Sequence, residues 1–265
     1  MTDRRLRGPV RIVGAGLLGA SIGLALRERG VDVILSDISP ATVTLAIDYG
    51  AGRAAADGDN PELIVVCVPP DVVASTVALE LAAYPDALVT DVASIKLAPL
   101  LQLRELGVDL SRYIGSHPMA GRERGGAISA RADLFIGRPW VIAGHNDITY
   151  RRAAAVEDLA LDLGAVPIEM DAAEHDASVA MVSHVPQVLS SLLAARLHDV
   201  PDAMVSLAGQ GLRDMTRIAA SAPELWVQIL AANAQPVAAV LKALRTNTAN
   251  KLNSLGVRWR ISLLM

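Results

Sequence analysis

The first 170 residues alternate between short apolar runs and stretches with helical spacing. Segments 10–13, 31–36, 63–68, 87–90, 113–115, 140–143 and 166–169 are apolar and rich in β-branched side chains, which reads as strands. Segments 17–29, 40–49, 71–82, 97–106 and 148–163 between them carry helical periodicity. The run 63–68 is continuously apolar, as a strand buried on both faces requires. Ser39 ahead of Pro40 is a helix start, because the hydroxyl caps and proline suits the first turn. Strands alternating with helices predict an α/β fold with a parallel, doubly wound sheet of the Rossmann type.

The texture changes near residue 171. From 172 to 244 there is helical periodicity and no strand pattern. Asp171 can cap a helix over 172–198, kinked at Pro186. A second helix is expected over 203–221 and a third from Pro223. The expected domains are therefore a dinucleotide-binding domain over 1–171 and an all-helical one over 172–265. A glycine- and arginine-rich loop spans 119–138. The end, RTNTANKLNSLGVRWRISLLM, is polar and then apolar and basic, which suits packing on a partner subunit or fraying.

Composition narrows the classes. The chain has 265 residues and 52% are hydrophobic, enough for a sizeable core. The mean hydropathy of +0.38 raises the question of a membrane. No run of 18 or more residues lacks charged or strongly polar side chains, so no membrane span is expected. The N-terminus lacks the pattern of a signal peptide, and a cytoplasmic protein is expected. A net charge of −4 and only 3% aromatic residues argue against nucleic acid as the partner. With the single cysteine Cys67, an internal disulfide and a thiolate zinc site are impossible. Cys67 reads as an inert core thiol, and His145 and His198 read as surface residues.

Residues 14–19, Gly14-Ala15-Gly16-Leu17-Leu18-Gly19, form G-x-G-x-x-G between a strand and a helix. Gly14 permits the tight turn, Gly16 lets a pyrophosphate approach the backbone, and Gly19 lets the helix pack closely on the strand. The helix N-terminus supplies N–H donors and partial positive charge for the phosphates. Asp37 ends the next strand, where a carboxylate binds ribose hydroxyls and repels a 2′-phosphate. NAD is therefore expected, with NADP second; Arg27 or Arg53 would be the residues to aid a 2′-phosphate. Val68 and Pro69 follow a buried strand at the sheet edge where such ligands sit.

Four further segments carry polar chemistry. They are Thr90-Asp91-Val92-Ala93-Ser94-Ile95-Lys96, Gly115-Ser116-His117-Pro118-Met119-Ala120-Gly121, His175-Asp176 with Ser183-His184-Val185-Pro186-Gln187, and Arg213-Asp214-Met215-Thr216-Arg217-Ile218-Ala219. The first two follow strands, so their polar groups are expected to face the cofactor crevice, Asp91 and Ser94 among them. His175 and His184 are nine residues apart on one expected helix, so they point to opposite faces and no shared metal site is expected.

Together with the dinucleotide fingerprint, these segments resemble the prephenate/arogenate dehydrogenase family of tyrosine biosynthesis, in order from about residue 10 to about 244. The resemblance implies a Rossmann-type domain, a helical domain that forms a homodimer, and oxidative decarboxylation of a cyclohexadienyl substrate, prephenate or arogenate, with NAD(P)+. It implies that His117 is the catalytic base and that Ser94 orients the substrate hydroxyl. Ser94 alone also reads as a helix cap. Arg217 resembles the arginine that holds a substrate carboxylate; Asp214 lies three residues before it on the same face, so an internal ion pair is also open. Glu123 resembles a position that joins Arg217 and Asp214 in an ionic gate. Ser183, His184 and Gln187 fall where the family lines its substrate pocket, and many relatives carry a histidine in place of Gln187. The family usually continues further at the C-terminus than this chain does.

Two other classes compete. A β-hydroxyacid dehydrogenase needs a helical catalytic lysine, and only Lys96, Lys242 and Lys251 exist. A non-catalytic dinucleotide-sensing module would need Gly14, Gly16, Gly19 and Asp37 but not His117, Ser94 and Arg217.

Overall fold

The computed structural model describes residues 4–121, 125–145, 148 and 150–254. The chain opens with β1 (Val10–Val13), α1 (Leu17–Glu28), β2 (Val33–Ser36), α2 (Pro40–Asp48) and β3 (Arg53–Ala54). It continues through β4 (Leu63–Val66), α3 (Val73–Ala83), β5 (Leu88–Asp91) and α4 (Leu97–Glu105). These strands form a parallel sheet in the order β3-β2-β1-β4-β5. The order reverses between β1 and β4, which opens a crevice at their carboxyl ends. All four residues of β4 are buried, as its unbroken apolar run requires. The Ser39 hydroxyl accepts from the Thr42 N–H at 3.3 Å and starts α2.

Next come β6 (Gly115–Pro118), β7 (Pro139–Gly144), α5 (Tyr150–Asp162) and β8 (Val166–Asp171). Here the expectation of one parallel sheet needs correction. These strands make a second, three-stranded sheet in which β6 and β7 are antiparallel. An isolated parallel bridge, Val89 to Tyr113, links it to β5. The long loop before β7 buries Phe135, which meets Trp140 edge-on at 5.4 Å.

The helical part contains α6 (Ala172–Val179), a π-helical turn over Ala180–His184, and α7 (Val185–Leu197). It ends with α8 (Asp202–Val205), α9 (Gln210–Thr216), α10 (Pro223–Ala232) and α11 (Ala234–Ser254). The first helix is thus interrupted before Pro186, which occupies the first turn of α7. The second is split around Gly209, the cap of α9. Asp171 accepts from the Glu174 N–H at 2.7 Å and caps α6.

Two compact units emerge, and they do not divide at residue 171. The first holds residues 1–176 and 221–232, and the second holds 177–220 and 233–265. The first unit extends past 171 because the start of α6 bonds to α4, and it gains α10, which packs on the 3₁₀ turn Pro70–Val72.

The run from Ala172 to Leu197 is, by length and composition, apolar enough to cross a membrane, which the sequence did not lead us to expect. Four polar residues within it, His175, Asp176, His184 and Gln187, are buried and hydrogen-bonded within the protein, while Glu174 and Arg196 are exposed.

Candidate active site

The glycine turn is built at the crevice between β1 and β4. Gly14 has φ of +99°, and a Cβ there would lie 2.4 Å from the Cys67 carbonyl oxygen. At Gly19 a Cβ would fall 1.9 Å from the Gly14 oxygen and 2.9 Å from Ile12. At Gly16 a Cβ would meet nothing within 4 Å, so the space over this residue is open. Gly16 caps α1, Leu17 and Leu18 open it, and its first turn carries no acidic residue. That combination fits a dinucleotide's phosphates, which need close backbone approach and N–H donors.

Asp37 clasps this loop. Its carboxylate accepts from Ala15 N–H at 2.8 Å and Ser39 N–H at 2.9 Å, and it stays half-exposed. Arg53 is engaged elsewhere: it bonds Asp32 at 2.9 Å and Asp59 at 2.7 Å. Val68 is half-buried and Pro69 exposed beside the glycine turn. Burial, reinforced by Asp91, pushes the Cys67 thiol well above its ordinary range, so it stays protonated.

Asp91, expected to face the cofactor, turns inward instead. It is fully buried and ion-paired with Lys96, itself 1% exposed. The Tyr113 hydroxyl donates to its Oδ2 at 2.7 Å and Ala93 N–H donates to Oδ1 at 2.9 Å. Burial lowers the Lys96 ammonium below its ordinary range against the raising effect of Asp91. Burial and Asp91 together raise the Tyr113 phenol, so it remains a donor. The Asp91 carbonyl accepts from the Ser116 hydroxyl at 2.9 Å, which fastens β6 to the end of β5.

His117 follows Ser116 on β6, opposite Val141, and is 7% exposed. Its Nδ1 lies 2.9 Å from Nε2 of His175, with the two rings edge to face. His175 is fully buried, and its Nδ1 lies 2.7 Å from Oδ1 of Asp176. Asp176 also accepts from the N–H groups of Lys96 at 2.8 Å and Leu97 at 3.0 Å. It therefore caps α4 from outside. The reading of Ser94 as that cap does not hold: Lys96 is the cap position, and Ser94 sits half-buried in the turn before it. His175 and Asp176 had stood out in sequence as part of a polar segment with no role assigned, and His175 with His184 as a poor metal pair. The signal that marked them was a histidine and a carboxylate side by side in the first turns of a helix.

In the second unit, Arg217 is exposed in the 3₁₀ turn after α9, and Asp214 is exposed and bonded to Gln210 at 2.7 Å. Ser183 is half-buried in the π-helical turn. Gln187 is 4% exposed, with its amide donating to the Ile218 carbonyl at 3.0 Å. It braces the turn that carries Arg217. His184 is fully buried with its Nδ1 3.0 Å from Asn233. Glu123 lies outside the described residues. His145 is not a surface residue: its Nε2 lies 2.8 Å from the Tyr113 carbonyl, and its ring stacks on Tyr113. His198 is exposed. A cleft of about 550 Å³ in the first unit, lined by Leu100, Arg104, Ile114 and Met170 among others, touches neither the glycine turn nor His117.

A dinucleotide turn at a sheet reversal, joined in one unit to a buried chain of histidines, defines a nicotinamide-dependent oxidoreductase. The model of the prephenate dehydrogenase nucleotide-binding domain matches residues 22–169, and that of the prephenate dehydrogenase dimerization domain matches 171–257. The chain belongs to the prephenate dehydrogenase family. It is 37% identical over 248 residues to the probable prephenate dehydrogenase NovF of Streptomyces niveus, covering 92% of this chain and 68% of that protein. The crystal structure of A. aeolicus prephenate dehydrogenase, in complex with hydroxyphenyl propionate and NAD+, aligns with a TM-score of 0.85 at 26% identity over 96% of this chain and 92% of that one. Synechocystis arogenate dehydrogenase aligns with a TM-score of 0.77 at 28% identity, over 94% and 92%.

Proposed function

We propose that the chain oxidises and decarboxylates prephenate with NAD+, giving 4-hydroxyphenylpyruvate, carbon dioxide and NADH. The observation that carries this reading is the buried His117–His175–Asp176 chain in the unit that holds the glycine turn. A dinucleotide sensor has no use for a buried base.

The glycine turn and Asp37 would hold NAD+, which would supply the hydride acceptor for the ring carbon that bears the hydroxyl. His117 holds the hydroxyl and takes its proton, as an imidazole titrating near neutrality is suited to do. The ring carboxylate then leaves as carbon dioxide, and its bonding pair restores aromaticity. The new phenol oxygen recovers the proton from His117, so the reaction releases no net proton. Ser94 orients the hydroxyl. Arg217 holds the carboxylate on the substrate side chain through its two-pronged guanidinium, and Ser183 and Asp214 of the same unit serve the same substrate. Gln187 and His184 act behind this surface.

Arogenate differs from prephenate only in the side-chain amine, and similarity to an arogenate dehydrogenase keeps it as the alternative substrate. We infer a cytoplasmic homodimer formed through the helical part, supported by the dimerization-domain match and by exposed Met181, Val182, Leu192 and Leu207.

The test follows NADH absorbance with NAD+ or NADP+ and each of the two substrates. Turnover with NAD+ and prephenate is expected, and a blank in all four mixtures would refute an enzyme. His117→Asn is expected to lower kcat by roughly 10²–10⁴-fold while NAD+ still binds. Retained turnover would remove His117 as the base.

A further inference from the structure

The geometry points to His175 and Asp176 as positioning residues that hold His117 in the tautomer with hydrogen on Nδ1, leaving Nε2 as its basic nitrogen. This deepens the dehydrogenase reading and rests on it.

The assignment follows from which groups must donate. Asp176 receives two backbone N–H groups, from Lys96 at 2.8 Å and Leu97 at 3.0 Å, so its carboxylate is an acceptor. His175 Nδ1, 2.7 Å from the same carboxylate, therefore carries a hydrogen. A neutral imidazole with its hydrogen on Nδ1 accepts at Nε2. The hydrogen in the 2.9 Å bond to His117 then belongs to His117 Nδ1. The lone pair of His117 is left on Nε2, on the ring edge opposite His175.

The same chain acts during the reaction. When Nε2 takes the substrate's hydroxyl proton, His117 becomes an imidazolium that keeps its Nδ1–H bond to His175. The polarised His175–Asp176 pair stabilises that charge without itself gaining a proton. The proton returns from Nε2 to the phenol oxygen, so nothing travels further along the chain. Without an acceptor at Nδ1, His117 is free to place its hydrogen on Nε2, where it cannot serve as a base. In serine proteases, losing the partner that fixes the histidine tautomer lowers kcat by about 10⁴-fold with the geometry kept.

Two measurements test this. The full-length protein, labelled with ¹⁵N-histidine, is read by long-range ¹H–¹⁵N NMR at a pH where His117 is neutral, with the His117 signals assigned by their loss in His117→Asn. The bare nitrogen is expected at Nε2, and a hydrogen on Nε2 would overturn the proposal. In parallel, His175→Phe removes the acceptor, and His175→Gln keeps one in its amide oxygen. The Phe variant is expected to lose roughly 10²-fold or more in kcat, with KM for NAD+ and prephenate little changed. The Gln variant is expected to recover at least about tenfold of that loss. A folded Phe variant with kcat within about twofold of the wild type overturns the proposal. So does a Gln variant no better than the Phe variant. If the Phe variant does not fold, the wild-type spectrum decides. A wild type that turns over neither substrate would refute the dehydrogenase reading, while the spectrum would still report the tautomer.

Discussion

The Lys96–Asp91 pair offers the sharpest energetic test. Both side chains are essentially inaccessible to water, at 1% and 0% exposure. A pair buried this deeply contributes little when whole, because desolvation offsets attraction. Its strength shows when it is broken. Among the described residues, Lys96→Met leaves the Asp91 carboxylate in the core with Tyr113 and the Ala93 N–H as donors. Stranding a buried charge costs about 3–5 kcal/mol. For a chain of this size each kcal/mol lowers Tm by about 2–4 °C, so a fall of roughly 10 °C is expected. Asp91→Asn in the same chain removes the stranded charge, keeps the shape and retains one acceptor. The double variant is therefore expected to be more stable than Lys96→Met alone. Urea titration and thermal melts on the wild type, both singles and the double close the cycle. A Lys96→Met loss below about 1 kcal/mol would place the pair among surface bridges. A double variant equal to the sum of its singles would show no coupling. Either result refutes the reasoning.

Arg217→Ala is expected to raise KM for prephenate at least about tenfold, near 1.4 kcal/mol, with a smaller change in kcat; an unchanged KM moves Arg217 out of the substrate site. Asp37→Ala removes the carboxylate that clasps Ala15 and Ser39 and repels a 2′-phosphate. It is expected to shift the ratio of kcat/KM values for NAD+ and NADP+ toward NADP+, and an unchanged ratio would show that another residue reads the ribose. Gly16→Ala and Gly19→Ala separate binding from folding. A Cβ at Gly16 meets nothing within 4 Å, so the variant is expected to melt like the wild type while losing NAD+ affinity by calorimetry. A Cβ at Gly19, 1.9 Å from a backbone oxygen, is expected to lower Tm by several degrees. The same loss of stability in both would make the turn merely structural.

The parts of this fold legible in sequence were those whose cause is local. An unbroken apolar run gives β4, a serine before a proline gives α2, and three glycines between a strand and a helix give the phosphate turn. Strand β3 was missed because Arg53–Ala54 is two residues long, too short for any period to show. Strand β6 was expected at 113–115 and runs over Gly115–Pro118 instead, because its residues Ser116 and His117 are polar yet buried by the pairing with β7. Strand direction leaves no trace in such patterns, so the antiparallel β6–β7 pair was invisible. Asp91 was misdirected for a related reason. A strand end buried on both faces gives no alternation from which to tell inward from outward. Its partners Lys96 and Tyr113 are five and 22 residues away, and the pairing exists only once the chain has folded.

Asp176 couples His175, the neighbour of His117, to the turn before α4. One of its oxygens receives both Lys96 N–H and His175, and the other receives Leu97 N–H. The carboxylate therefore terminates two structures at once: the chain that orients His117 and the N-terminus of α4. Ser94 lies two residues before Lys96, in the turn that α4 follows. A shift of Asp176 acts on the Ser94 turn and on His175 together, so the residues proposed to orient the hydroxyl and to act as the base respond as a pair. A helix that carried its own capping serine would have left the two independent. Its cap is instead borrowed from α6, and this ties the placement of His117 and Ser94 to a single carboxylate 80 residues beyond Lys96.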